Sequence, residues 1–310
     1  MPWLDVRPGR SAVPVLCYHS LGGNGMAPAL FAAQMRWLRE RGVRSLRLDE
    51  LRRYLSGDLA LSGPAACITF DDGFRDILTR AAPVLAENGL NAVAFMIASR
   101  IRPEEEPGLD GDIHSDAAHK AYVLHGERAA WLSAGEMRGL AKQGVVEFGS
   151  HGMRHLKLPF TGPELIEVPD HWAFAPWQER GAGPAPKLAP ELSRPLMLAE
   201  GRLESDAAFE ARVQEELSQS RAELEAACGA PVTALAWPWG AYRAESVEAA
   251  RRAGFDLCFT TKRGSATPGV DAMRLPRLEV RSRRTLSWFT SRMAVYSRAW
   301  AAKIYNGMRI

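Results

Sequence analysis

Cysteine is scarce in this chain. The four present, Cys17, Cys67, Cys228 and Cys258, form no CxxC pair, which points to buried free thiols rather than a paired-cysteine framework. No stretch of about 18 uninterrupted apolar residues occurs, so a membrane-spanning helix is not expected. The opening residues, MPWLDVRPGRSAVPVL, carry Asp5, Arg7 and Arg10 where a secretory leader needs an apolar run of about 7–15 residues; a cytoplasmic protein is expected. Acids are missing after Glu279: from Val280 onward there are seven Arg or Lys and no Asp or Glu, so the net charge of +3 leaves −4 on residues 1–279. The basic character belongs to the tail. Nucleic acid is therefore not expected as a partner of the main body, and the C-terminal segment is marked as a contact surface.

With 46% apolar and 24% charged residues in 310, the chain has the composition of a globular protein long enough for one α/β barrel or two ordinary domains. Short apolar runs alternate with amphipathic stretches, the βα rhythm of a parallel sheet. Strands are expected over VPVLCY (13–18), ACITF (66–70), NAVAFMI (91–97), VVEFG (145–149), TALAW (233–237) and DLCFT (256–260). Helices between them end at Gly42, Gly89, Gly144, Gly229 and Gly254, the residue a left-handed C-terminal cap favours. The fold class expected is a single α/β barrel-like domain over residues 1–284. Two insertions interrupt it: an acidic, His-containing loop at about 98–130, and a Pro- and Trp-rich segment at about 157–205. Long insertions of this kind are either disordered or lids and binding surfaces, and the tryptophans of the second argue for packing.

The chemistry concentrates at strand ends. After ACITF come two adjacent acids, Asp71 and Asp72, and after VVEFG come His151 and His155, four residues apart. On a helical turn that spacing puts two imidazoles on one face, able to grip one ion. The metalloprotease pattern needs Glu after the first His, but Gly152 stands there, so the third ligand and the base must come from elsewhere. Adjacent residues in an extended chain point to opposite sides. One aspartate can therefore complete a two-His, one-carboxylate site while its neighbour takes a proton from water, whose pKa a bound zinc lowers to roughly 7.

Thr69-Phe70-Asp71-Asp72-Gly73, then His151-x-x-x-His155, then AWPWG at 236–240 resemble the first three motifs of the polysaccharide deacetylases, carbohydrate esterase family 4. PVLCYHSLG and LPRLEV (275–280) are similar to the branch that deacetylates poly-N-acetylglucosamine. The resemblance covers roughly residues 13–280 and implies a distorted (β/α)7 barrel holding one divalent metal, zinc in most members and cobalt or nickel in some. It implies that Asp71 is the general base and that Asp72, His151 and His155 are the metal ligands. It also implies that the Trp239 backbone N–H helps stabilise the oxyanion, at a turn shaped by Pro238. Trp237 joins these as a substrate-binding candidate, although Trp237 and Trp239 are equally readable as core residues or sugar-stacking platforms. Three departures stand out. Gly152 lacks the hydroxyl usual after the first metal His. The third motif lacks its leading Arg, for which Arg277 is a substitute as the residue orienting the base. No histidine follows His171, so His19 in CYHS becomes the expected acid that protonates the leaving amine.

The activity implied is metal-dependent removal of an N-acyl group, N-acetyl first of all, from an amino sugar in a glycan, a lipid-linked sugar or a polysaccharide precursor. The alternatives are a hydrolase of non-sugar amides on the same scaffold and a non-catalytic glycan-binding protein. His114, His119 and His125 fit no standard metal spacing and are expected as solvated loop residues. The tail, 285–310, places Leu286, Phe289, Met293, Tyr296, Trp300 and Ile304 at a helical period. It is expected as one basic amphipathic helix, lying on an anionic membrane surface or packed against the barrel or a partner subunit; the oligomeric state is left open.

Overall fold

The computed structural model describes residues 12–161, 164–181, 183–198 and 201–307. The opening stretch 1–11 and residues 308–310 of the tail, Arg309 included, lie outside the described residues. In chain order the elements are β1 (Val15–Tyr18), α1 (Pro28–Glu40), β2 (Arg44–Ser45), α2 (Leu48–Ser56), β3 (Ala65–Phe70), a π-helical turn (Ile77–Ala81) running into α3 (Ala82–Glu87), and β4 (Ala92–Met96). There follow α4 (Ser115–His125), α5 (Ala134–Lys142), β5 (Val146–Ser150), β6 (Lys157–Pro159), β7 (Leu165–Ile166), α6 (Ala175–Glu179), β8 (Ala185–Pro186) and β9 (Leu188–Pro190). The chain closes with α7 (Asp206–Cys228), β10 (Ala234–Ala236), α8 (Ala244–Arg252), β11 (Leu257–Phe259), β12 (Leu278–Glu279), α9 (Leu286–Tyr296) and α10 (Ala299–Gly307).

Seven strands make one curled parallel half-barrel in the order β11-β10-β5-β4-β3-β1-β12, with β2 paired to β3 beside it. This is the architecture of a distorted (β/α)7 barrel. Register keeps the carboxyl ends level: Tyr18 pairs with Phe70, Phe70 with Ala94, and Met96 with Ser150. The strands read as unbroken apolar runs because both faces are buried. Leu16, Tyr18, Ile68, Phe70, Ala94 and Met96 pack toward the helices, whereas Val15, Cys67, Val93, Phe95, Ala236 and Phe259 fill the opposite face. All four cysteines are free and buried. The five glycines expected as helix caps all have φ between 63° and 88°.

Three expectations need correction. The first insertion is not a bare loop, since it carries α4, and the second carries β6–β9 and α6. The two β-pairs β6·β9 and β7·β8 are antiparallel and fold the Pro- and Trp-rich segment onto itself, so its apolar residues bury one another. The tail is two helices, not one. Its chain breaks at Ser297 and Arg298: α9 buries Phe289, Met293 and Tyr296, while Trp300 and Ile304 on α10 are 57% and 54% exposed. The Phe289 ring meets Trp37 of α1 edge-on at 5.9 Å, so the first half of the tail belongs to the barrel. Among the described residues no helix is long and apolar enough to cross a membrane.

Candidate metal centre and catalytic pocket

Asp71 ends the ladder of β3, its N–H donating to the Tyr18 carbonyl at 2.9 Å. Asp72 then turns into the left-handed region, with φ 69°, and Gly73 follows at φ 76°. Glycine suits position 73 because φ there is 76°, and a Cβ would also lie 2.5 Å from the Met96 sulfur, which would have to shift. The abrupt turn sends the two neighbouring carboxylates to different partners. Three non-glycine residues of the described chain have positive φ, Asp72, His155 and Trp239, and all three line one cavity of about 240 Å³. Each such conformation costs of order 1–3 kcal/mol and persists where surrounding structure imposes it, characteristically at functional sites.

Asp71 faces Arg277, which enters from the start of β12. The guanidinium grips the carboxylate with both Nη atoms, at 2.6 and 2.7 Å, while its Nε donates to the Thr260 carbonyl at 2.9 Å. Both residues are buried. Burial alone would raise the Asp71 carboxyl, but Arg277, then His151, more than offset it and hold Asp71 below the usual carboxylate range. A bidentate, charge-assisted pair also fixes the plane of the carboxylate. Cys17, His19 and Asp71 come within 4.8 Å of one another, yet this trio is a poor cation site because the Arg277 charge already occupies both Asp71 oxygens.

Asp72 faces the histidines. Asp72, His151 and His155 each bring one ligand atom within 4.8 Å of the others, and all three are buried. The pair of histidines is not on a helical turn, as the spacing had implied. Both sit on the loop that leaves β5, and left-handed backbone at Gly152 (φ 79°) and His155 (φ 55°) folds it back. The missing hydroxyl at Gly152 now has a reason: a Cβ there would crowd Glu216 and Pro238 at 3.2 Å. Glu216 from α7 holds the loop by accepting from Met153 N–H at 2.7 Å and Arg154 N–H at 3.3 Å. Burial, then the neighbouring Glu191, pushes its carboxyl up to about 8.

The donor set fits a divalent ion of the zinc type. His151 Nδ1 bonds to the Ala236 carbonyl at 2.8 Å, which puts the proton on Nδ1 and leaves the Nε2 lone pair 3.8 Å from Asp72 Oδ1. His155 Nδ1 is buried with no hydrogen-bond partner among the described residues. Burial pushes both imidazoles below their usual range, and His151 pushes His155 lower still. Two neutral imidazoles and one ionised carboxylate are what such an ion requires.

Two residues that the sequence did not reveal complete this side. His119 is not solvated: it is 4% exposed, with Nε2 3.5 Å from Asp72 Oδ2. Behind it the buried Arg100 guanidinium donates to His119 Nδ1, which leaves the ring proton on Nε2, toward Asp72. Among the described residues Arg100 pairs with no carboxylate, and it is caged by the Tyr122, Trp131 and Trp172 rings at 4.7, 5.2 and 5.4 Å. Partners of this kind orient a metal-binding carboxylate. His119→Phe keeps a ring in place but removes the bond to Asp72, and zinc affinity, read by competition with a chromophoric chelator, is expected to fall about 10-fold to 100-fold; unaltered affinity contradicts the orienting role.

The two insertions meet over the site. Trp172, from the second, stacks on His119, from the first, at 4.4 Å, and on Trp239 at 5.2 Å. The cavity is lined by His19, Asp71, Asp72, His151 and His155 on the barrel side, by Trp239 and Thr261, and by Ser115, Asp116, His119, His171 and Trp172 from the insertions. His19 is half-buried at the end of β1. Trp237 is corrected to a core residue: it is fully buried, its indole N–H donates to the Met273 carbonyl at 3.3 Å, and it does not line the cavity. Pro238 is also buried and lies 3.2 Å from where a Cβ at position 152 of the histidine loop would be.

The sequence model of the family described as polysaccharide deacetylase matches residues 59–258. YxkH of Bacillus subtilis (strain 168), grouped with the polysaccharide deacetylases, is 24% identical over 271 residues, which span 86% of this chain and 71% of that relative. The poly-beta-1,6-N-acetyl-D-glucosamine N-deacetylase of Escherichia coli (strain K12) is 22% identical over 262 residues and 84% of this chain, but the match spans only 34% of that relative's length. Among solved structures, the de-N-acetylase from Aggregatibacter actinomycetemcomitans has a TM-score of 0.71 at 18% identity, covering 90% of this chain and 99% of the other, a likeness of fold.

Proposed function

Because the chain belongs to the polysaccharide deacetylase family, we propose that it is a metal-dependent hydrolase that removes an N-acyl group, N-acetyl first of all, from an amino sugar. The observation that carries this reading is the division of labour between adjacent carboxylates, Asp72 sharing a buried centre with His151 and His155 and Asp71 clasped by Arg277. Asp72, His151 and His155 would hold the ion. A divalent cation bound by them supplies Lewis-acid polarisation of the amide carbonyl and acidification of water.

The remaining steps fall to the protein's own groups. Asp71, kept ionised by Arg277, accepts the proton of the attacking water. The Trp239 N–H donates to the carbonyl oxygen as it gains charge, a type of donor worth about 2.7–4 kcal/mol in kcat elsewhere. His19 gives a proton to the departing amine. Trp172 and Trp239 line the cavity with aromatic surface, which suits a sugar ring better than a small linear amide.

Acetate release from N-acetylglucosamine oligomers tests the reading. Wild-type protein loaded with zinc, cobalt or nickel is expected to release it; Asp72→Ala and exhaustive chelation are each expected to abolish release, and metal added back restores the wild type alone. Activity that survives both treatments refutes the metal role.

A further inference from the structure

Beside the catalytic cavity lies a second one, of about 360 Å³, that the proposed chemistry does not use. Its walls are Tyr122 and Val123 of α4, Leu156 and Leu158 at the start of β6, and Trp172, Ala173, Pro176 and Trp177 of the second insertion, with Arg128 and Lys157 the only charged lining residues among those described. Trp172 is common to both cavities.

The two cations are not satisfied by the protein. Neither Arg128 nor Lys157 engages a carboxylate among the described residues, and Arg128 Nε is buried with no hydrogen-bond partner. Lys157 is half-buried, with Nζ 3.8 Å from the centre of the Trp239 ring. A part-buried cation without a counter-ion among the described residues, placed beside the catalytic cavity, is arranged for an anion brought by the ligand. The apolar walls beyond it are arranged for hydrocarbon.

We infer that this second cavity binds a phosphate joined to an apolar chain, so that the substrate is an acetamido sugar carried on a lipid phosphate. The sugar occupies the catalytic cavity, the phosphate bridges to Lys157 and Arg128, and the first part of the chain lies along Val123, Leu158 and Trp177. This rests on the deacetylase reading and narrows its substrate class. Both insertions then have one purpose: their contact at Trp172 and His119 divides a polar sugar site from an apolar lipid site.

Titration calorimetry with octyl phosphate, octyl glucoside, inorganic phosphate and uridine diphosphate tests it without turnover. Octyl phosphate is expected to bind at least about tenfold tighter than the other three. Arg128→Gln and Lys157→Gln are each expected to weaken it about 10-fold to 100-fold, the worth of one charge-assisted hydrogen bond. Leu158→Asp, with its fold checked by near-ultraviolet circular dichroism, weakens octyl phosphate but not inorganic phosphate. Arg128→Gln leaves acetate release from unlinked N-acetylglucosamine oligomers unchanged. Octyl phosphate binding that is absent, or indifferent to both cation replacements, overturns the inference, as does uridine diphosphate binding equally well, which would make the site one for a nucleotide. Failure of the deacetylase reading is separable: it shows as no acetate released, whatever octyl phosphate does.

Discussion

Asp71→Asn is expected to lower kcat for acetate release by about 10²- to 10⁴-fold, the range contributed by a positioned general base, while the protein still takes up its metal ion. The amide retains the shape of the carboxylate and one oxygen that can accept from Arg277, but it cannot remove a proton. Because Arg277 is then buried beside a neutral group, some stability is lost as well. The measurement is therefore steady-state turnover below the melting transition, paired with metal content. A loss of only a few-fold would show that proton removal lies with another residue.

The second large effect is at Arg277. Arg277→Met removes the guanidinium that holds both Asp71 oxygens at 2.6 and 2.7 Å and leaves a buried carboxylate with burial largely unopposed. Breaking a buried pair in this way costs about 3–5 kcal/mol, and the melting temperature at neutral pH falls accordingly. The sign with pH follows from the direction of the Asp71 shift. In the wild type the folded carboxyl lies below its ordinary range, so the pair stabilises the fold above that range, and the stabilisation is lost as pH falls through the folded value. In Arg277→Met the carboxyl moves upward instead. The destabilisation is then greatest at neutral pH and shrinks as acid protonates Asp71, and the acidic limb of the kcat/KM profile moves to higher pH. Arg277→Lys, which supplies charge without the fork, is expected to recover part of the stability and little of the orientation. An acidic limb that stays in place in Arg277→Met would contradict the assignment of Asp71 as the base.

The parts of the site that the sequence disclosed are those where chemistry is written into short range. Asp71 and Asp72 are adjacent, His151 and His155 are four apart, and each pair follows an apolar run that both faces of the sheet bury. The helical turn inferred for the histidines was wrong because spacing alone cannot tell a helix from a loop folded back by left-handed residues; Gly152 was the clue, and its reason lies in Glu216 and Pro238, remote in sequence. His119 and Arg100 were hidden for a related cause. Their partners, Asp72, Trp131 and Trp172, come from three other segments, and a histidine in an acidic stretch has the same letters whether solvated or buried. The signal available was α4 itself, where His119 and Tyr122, three apart, share a helix face. Trp237 and Trp239 show the converse limit: two residues apart in one motif, one is core and the other lines the cavity, because the chain reverses at Trp239 (φ 62°). The tail periodicity held over α9, where barrel contacts enforce it, and failed to foresee the break at Ser297.

Metal stoichiometry in dialysed protein, by elemental analysis of the wild type, Asp71→Asn and Asp72→Ala side by side, tests the central division between the two carboxylates most directly. One divalent ion per chain is predicted for the wild type and for Asp71→Asn, and none for Asp72→Ala. An Asp72→Ala protein that keeps its ion, or an Asp71→Asn protein that loses it while still folded, would contradict the account.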